Sequence, residues 1–148
     1  MIEFKTSVVG AEAVAAKFTA ASQSIRDKLR KRVQALGIEL QRKVKEEKLS
    51  GQVLNVRTGN LRRNINEQTT VSGDTIVSAV GTNVPYARVW ELGFSGIEQV
   101  KAHLRLGRPV RPFSRTVNLR ARPFLSTALQ EMRTRIIDEL TRATQEAT

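Results

Sequence analysis

Val84-Pro85-Tyr86-Ala87-Arg88-Val89-Trp90-Glu91-Leu92-Gly93 holds the chain's only tryptophan and only tyrosine, and the rest of the sequence is read outward from it. Asn83 or Val84 can cap a helix, Pro85 suits a first turn where its missing N–H costs nothing, and Gly93 can take the left-handed conformation that closes one. The spacing predicts a helix of about two turns with Tyr86, Val89 and Trp90 at i, i+3 and i+4 on one face. Two rings on an apolar face pack inward more often than they stack on a ligand. The stretch is therefore a structural hub, built on Pro85, Tyr86, Val89, Trp90 and Gly93. Glu91 reads as a structural carboxylate with a nearby arginine such as Arg88 for partner.

A chain of 148 residues, 40% hydrophobic, is long enough for one domain, 1–148, with a core that needs no disulfide or metal staple. Cysteine is absent, which removes thiolate zinc sites and cysteine nucleophiles. Met1 to Lys5 lacks the apolar run of a signal peptide, and no stretch approaches the roughly 20 apolar residues of a membrane span. The expectation is a soluble, unexported protein with no membrane partner. The net charge of +11 and pI near 11.1 suit nucleic acid, an anionic surface or an acidic protein. Position is more informative than the total. No acidic residue occurs from Gln99 to Gln130, whereas Lys101, Arg105, Arg108, Arg111, Arg115, Arg120 and Arg122 recur through that region. The earlier cluster Arg26, Lys28, Arg30, Lys31 and Arg32 reads as the solvated face of a helix.

In chain order, alternation over Ile2 to Val9 predicts a short strand. From Ala11 to about Lys48 the residues Val14, Phe18, Ala21, Ile25, Leu29, Val33, Leu36, Leu40 and Val44 keep a spacing of three or four, which predicts a long amphipathic helix. It would measure about 55 Å against about 40 Å for a compact domain of this size, so one bend is expected, near Thr19 to Ser24 or at Gly37. Leu49 to Val56 reads as a loop, and Thr58 can cap a short turn that places Leu61 and Ile65 inward. Asn66 to Val71 and Thr75 to Gly81, flanking Ser72-Gly73-Asp74, predict a hairpin centring the sheet. Val100, Ala102 and Leu104, then Val117 and Leu119, alternate around a turn at Gly107 to Pro109 and predict a basic hairpin arm, about 97–119. Pro123 begins a terminal amphipathic helix with Leu125, Ala128, Leu129, Met132, Ile136 and Leu140 on its stripe; Pro123 and Phe124 complete the hub.

The fold class is thus α+β, a mostly antiparallel twisted sheet packed against a long N-terminal helix and a C-terminal helix, with the arm projecting. Catalytic chemistry has little inventory. His103, the only histidine, sits among arginines with no carboxylate to orient it, Gly93-Phe94-Ser95-Gly96 misses the nucleophile-elbow spacing, and no phosphate loop or zinc-ligand cluster occurs. No enzyme, cofactor or metal site is expected. A dedicated nucleic-acid-binding module is the alternative class, against which stand an aromatic content of 5% and the lack of helix-turn-helix, finger or base-stacking patterns.

Three phrases occur in order: Thr58-Gly59-Asn60-Leu61 with Ile65; Pro85-Tyr86-Ala87 through Glu91-Leu92-Gly93; and Ala121-Arg122-Pro123-Phe124-Leu125 with Ala128-Leu129. In them the chain resembles, over nearly its whole length, the tail-completion proteins of long-tailed double-stranded-DNA bacteriophages, also called tail-component or minor tail protein Z-like proteins. The arm fits that pattern least closely. The resemblance implies a virion structural protein at the head-proximal end of the tail tube, forming a six-fold ring that completes the tail for head joining, with a neighbouring role as tail terminator or head closure as the near alternative. Its implied partners are further copies of itself, a tail tube or tail terminator protein, and a head-closure or connector protein. Its implied location is the virion neck, after assembly in the host cytoplasm. Lys101, Arg105, Arg108, Arg111 and Arg115 are the expected partner interface, with nonspecific contact to packaged DNA as a further option because phosphate binding needs only positive charge.

Overall fold

A computed structural model describes residues 23–73 and 75–145. The expected strand over Ile2 to Val9, the start of the long helix and the bend near Thr19 to Ser24 lie outside or at the edge of these residues. Helix α1, Gln23–Lys43, runs on into a π-helical segment, Val44–Gln52. Its stripe follows the sequence period: Leu29, Leu36 and Val44 are buried, and Ile25, Val33 and Leu40 are half-buried. The helix does not break at Gly37. A Cβ at this position would fall on Ser78 Oγ and lie 3.0 Å from Glu67 Cγ, so the glycine admits a strand against the helix. The roughly 1 kcal/mol it costs a helix is exchanged for that close approach. The chain turns later, at Ser50 and Gly51, where φ reaches 122°, a value that favours glycine.

A short helix α2, Asn60–Arg63, leads into β1, Ile65–Ser72, which pairs antiparallel with β2, Thr75–Thr82, in the register Ile65 to Thr82 through Ser72 to Thr75. Helix α3, Ala87–Leu92, follows. Strands β3, Phe94–Val100, and β6, Phe113–Leu119, pair with each other, as do β4, His103–Arg105, and β5, Arg108–Val110. Helix α4, Leu125–Gln145, ends the described chain. The architecture is α+β with antiparallel strands and two long helices. Among the described residues the strands form three two-stranded ribbons instead of one sheet centred on the first hairpin. The base of the β1–β2 ribbon is covered by α1, and Gln41 Nε2 donates to Ile65 O at 2.8 Å.

The core gathers where these elements converge. Val44, Leu49, Ile65, Val80, Val84, Ala87, Phe124, Leu125 and Ala128 are buried together, with Leu40, Val53, Leu54, Leu61 and Trp90 packed around them. Ion pairs Arg32–Glu139, Glu39–Arg135 and Lys43–Glu131, at 3.0, 2.6 and 3.1 Å, fasten α4 antiparallel to α1. Lys48, only 5% exposed, donates to Glu131 at 2.6 Å and to Gln52 at 3.3 Å. A buried ammonium needs such partners.

This cluster predicts a pH window. Hydrogen bonds from Lys48 and then Lys43 hold Glu131 below its ordinary value of 4.5, so its contribution is present above that value and is lost as pH falls through the lowered one. Hydrogen bonds to Glu47 and then Glu131 raise Lys43 above 10.5; its contribution is full below 10.5 and disappears as pH rises through the raised value. Melting temperature should fall on acidification below 4.5, and Glu131→Gln should flatten part of that fall. An unchanged acid limb in the variant would show the cluster to be without weight.

Candidate interaction surface

The hub is entered through Thr82, whose Oγ1 accepts the Val84 amide at 3.2 Å, and Val84 O accepts the Ala87 amide at 3.1 Å. No side chain of Asn83 or Val84 caps α3. The inward face is set by Val84, Ala87 and Glu91, all buried, instead of by Tyr86, Val89 and Trp90. Val89 and Trp90 are half-buried, the latter packed against the core. Tyr86 remains 41% exposed and accepts a hydrogen bond from Asn60 Nδ2 at 3.2 Å, which links α2 to α3. Thr58 lies one residue further out than a cap; Gly59 holds the cap position with φ 70°, and Thr58 Oγ1 accepts the Asn60 amide at 3.3 Å.

Glu91 has a role that its sequence neighbours conceal. Its Oε2 accepts the Phe124 and Leu125 amides at 2.8 and 3.0 Å, and its Oε1 accepts the Ser126 amide at 2.9 Å and the Ser126 hydroxyl at 2.5 Å. The partner is the N-terminus of α4, not Arg88. That terminus follows Pro123 and has no acidic residue in its first turn; Phe124, which precedes it, has no capping group. Its orphan donors therefore need an acceptor from elsewhere, and a carboxylate also suits the positive end of the helix dipole. The missing local cap is the one signal of this in the sequence. Beside this clamp, Arg122 N donates to Trp90 O at 2.7 Å, and the Arg122 guanidinium stands 6.0 Å from the Trp90 ring centroid. Phe124 is fully buried, whereas Pro123 is exposed.

From this clamp the chain leaves as a ribbon and returns. Gly93, at φ 78° and ψ 174°, has the positive φ expected of it but an extended ψ in place of a left-handed closure. No residue from 92 to 123 is buried. The arm begins at Phe94, earlier than the expected 97, and its two tiers are separated at Pro112, which has no N–H for the ladder. The turn falls at Leu106 and Gly107, with φ 52° and 76°, the paired positive values of a tight hairpin turn. Pro109 stands in β5 instead of in the turn.

The register gives the arm two faces. Phe94, Gly96, Glu98 and Val100 lie opposite Leu119, Val117, Arg115 and Phe113 on one of them, and Ser95, Ile97 and Gln99 lie opposite Asn118, Thr116 and Ser114 on the other. Among the five expected interface cations, all exposed, Arg115 is occupied: its Nη2 and Nε reach Glu98 Oε2 at 2.6 and 2.7 Å. Arg105 lies directly opposite Arg108 beside the turn. Like charges so placed destabilise a strand pair. Leu104 and Leu106, 74% and 97% exposed, flank them, and a concavity of about 520 Å³ is lined by Arg105, Leu106, Arg108 and Val110.

Among the described residues no helix is long and apolar enough to cross a membrane. A family model described as "Bacteriophage HK97-gp10, putative tail-component" matches residues 12–93, just over half of the chain and ending where the arm begins. No curated protein and no solved structure gives a significant match.

Proposed function

The chain belongs to the bacteriophage HK97-gp10 tail-component family, and from that premise we propose that it completes the head-proximal end of the tail and enables head–tail joining. Family membership makes it a virion tail protein; the neck position and the joining role are the proposal. In this reading the helical body supplies a ring, six-fold as the tail-completion resemblance implies, and the arm docks on a neighbouring tail or neck protein. The protein is a connector and not a catalyst.

The observation that carries the docking role is the placement of Arg105 against Arg108 at the tip of a ribbon with no buried residue. An isolated two-stranded ribbon is marginal in water, and a like-charge pair at its end weakens it further. An acidic partner surface relieves both. Lys101 and Arg111, exposed between the tiers, extend the positive field, while Leu104, Leu106 and Ile97 supply apolar contact area. Phosphate contact alone would use the cations and leave that apolar area without a purpose, so a protein partner is favoured over packaged DNA. The test is electron microscopy of particles made without this gene, with the gene restored in parallel. Full heads and separate tails, cured by restoration, are expected; normally joined virions in its absence would overturn the reading.

A further inference from the structure

A second basic feature lies on the body, away from the arm. Lys45 of the π-helical segment, Val56 of the following loop, and Gly59, Arg62 and Arg63 at α2 line one open concavity of about 430 Å³. Its wall holds three cations and no carboxylate. Lys45, Arg62 and Arg63 have no carboxylate partner among the described residues, whereas Lys43, two residues before Lys45, is paired with Glu47 and Glu131 at 2.7 and 3.1 Å. The neighbouring Glu47 is turned to Lys43 at 2.7 Å, and Glu46 does not line the cavity. Arg63 is also held in place. The positive φ of Gly59, 70°, brings the chain round so that Arg63 Nη2 donates to Thr58 O at 3.3 Å, leaving its other donors free to face the cavity.

We infer that the concavity walled by Lys45, Arg62 and Arg63 is a phosphate-binding site, taking the oxyanion of a nucleic-acid backbone or of free phosphate. Two guanidinium forks and one ammonium on one wall match a phosphate in donor type and in the sign of their charge. A single carboxylate would leave most of the positive charge of the three side chains uncompensated. The site is independent of the arm and stands whether or not the arm docks as proposed.

The test is a titration of the full chain, followed by amide spectra at the Gly59 and Asn60 signals, with inorganic phosphate against chloride at matched ionic strength, then with a short DNA duplex. Both signals should move with phosphate or duplex and not with chloride. Lys45→Gln with Arg62→Gln should weaken the response about tenfold and reduce the salt slope of duplex binding by about 2, near 0.9 for each phosphate no longer neutralised. Arg105→Gln with Arg108→Gln should leave these two signals responding as in the parent. Movement with phosphate alone identifies free phosphate as the source, and movement with duplex alone identifies the backbone. Signals that ignore both, that respond equally in the double variant, or that follow only an acidic peptide overturn the assignment. Lys45 and Arg62 are not buried, so the double variant should fold; Arg62→Lys, which keeps the charge, should retain most of the response.

Discussion

Glu91→Ala should lower the unfolding free energy by about 3–5 kcal/mol, since the buried Phe124 and Leu125 amides each lose their acceptor at about 1–3 kcal/mol and the helix dipole loses its counter-charge. The change falls on one residue but severs two elements. Glu91 sits at the end of α3 and its four donors belong to the start of α4 and the residue before it, so its removal unties the site where the arm leaves and returns. Against a total of about 5–15 kcal/mol for a domain, the variant should be near the edge of folding. Glu91→Gln keeps one acceptor and turns an amide N–H toward a donor, and should cost about 2 kcal/mol. Urea titration reads both values. Hydrogen exchange locates them: the Phe124, Leu125 and Ser126 amides should lose protection first. An alanine variant within about 1 kcal/mol of the parent would mean that α4 is capped by some other means.

Gly93→Ala should cost about 3 kcal/mol or more, because two penalties coincide. Its backbone, φ 78° with ψ 174°, lies in a region essentially reserved for glycine and strained by about 1–3 kcal/mol for other residues. An added Cβ would also stand 2.8 Å from Leu119 O and 2.9 Å from Ala121 N. These are backbone atoms at the end of β6 and just beyond it, which cannot swing aside as a side chain can. Gly107→Ala is the matched control: φ is 76° but nothing lies within 4 Å of the new Cβ, so only the conformational penalty of about 1–2 kcal/mol remains. Equal losses in the two variants, measured by thermal melting, would remove close approach from the explanation and leave backbone strain alone.

The long helices are legible in the sequence because each has an apolar stripe that no alternative structure would bury: Leu29 and Leu36 on α1 with Val44 of the π-helical segment that continues it, and Leu125, Ala128 and Met132 on α4, are all inside. The first hairpin is legible from its β-branched runs around Gly73. What escapes is what depends on partners distant in sequence. Gly37 reads locally as a helix breaker, yet its meaning lies in Ser78 and Glu67 across the helix–strand interface. Glu91 reads as half of an ion pair because arginines are its neighbours, yet its ligands come from residues more than thirty positions later. The α3 face is misread when aromatic bulk is given more weight than position: Tyr86 is satisfied by Asn60 at the surface, and small Ala87 takes the inward place. Arg62 and Arg63 read locally only as part of a turn, since alternation and spacing do not disclose that Lys45 shares their cavity.

Head–tail joining by particles that carry a charge-reversed arm is the most direct test of the account. Arg105→Glu, Arg108→Glu and Arg111→Glu together alter exposed residues outside the Glu91 clamp and should leave the melting temperature nearly unchanged, because positions 105 and 108 stay a like-charge pair across the ribbon while the sign of the docking charge is reversed. Supplied to a phage that lacks the native gene, this variant should yield full heads and unjoined tails in electron micrographs, while the unaltered gene restores joined virions. Joined virions at the unaltered level from the folded variant would contradict the claim that the arm is the docking element.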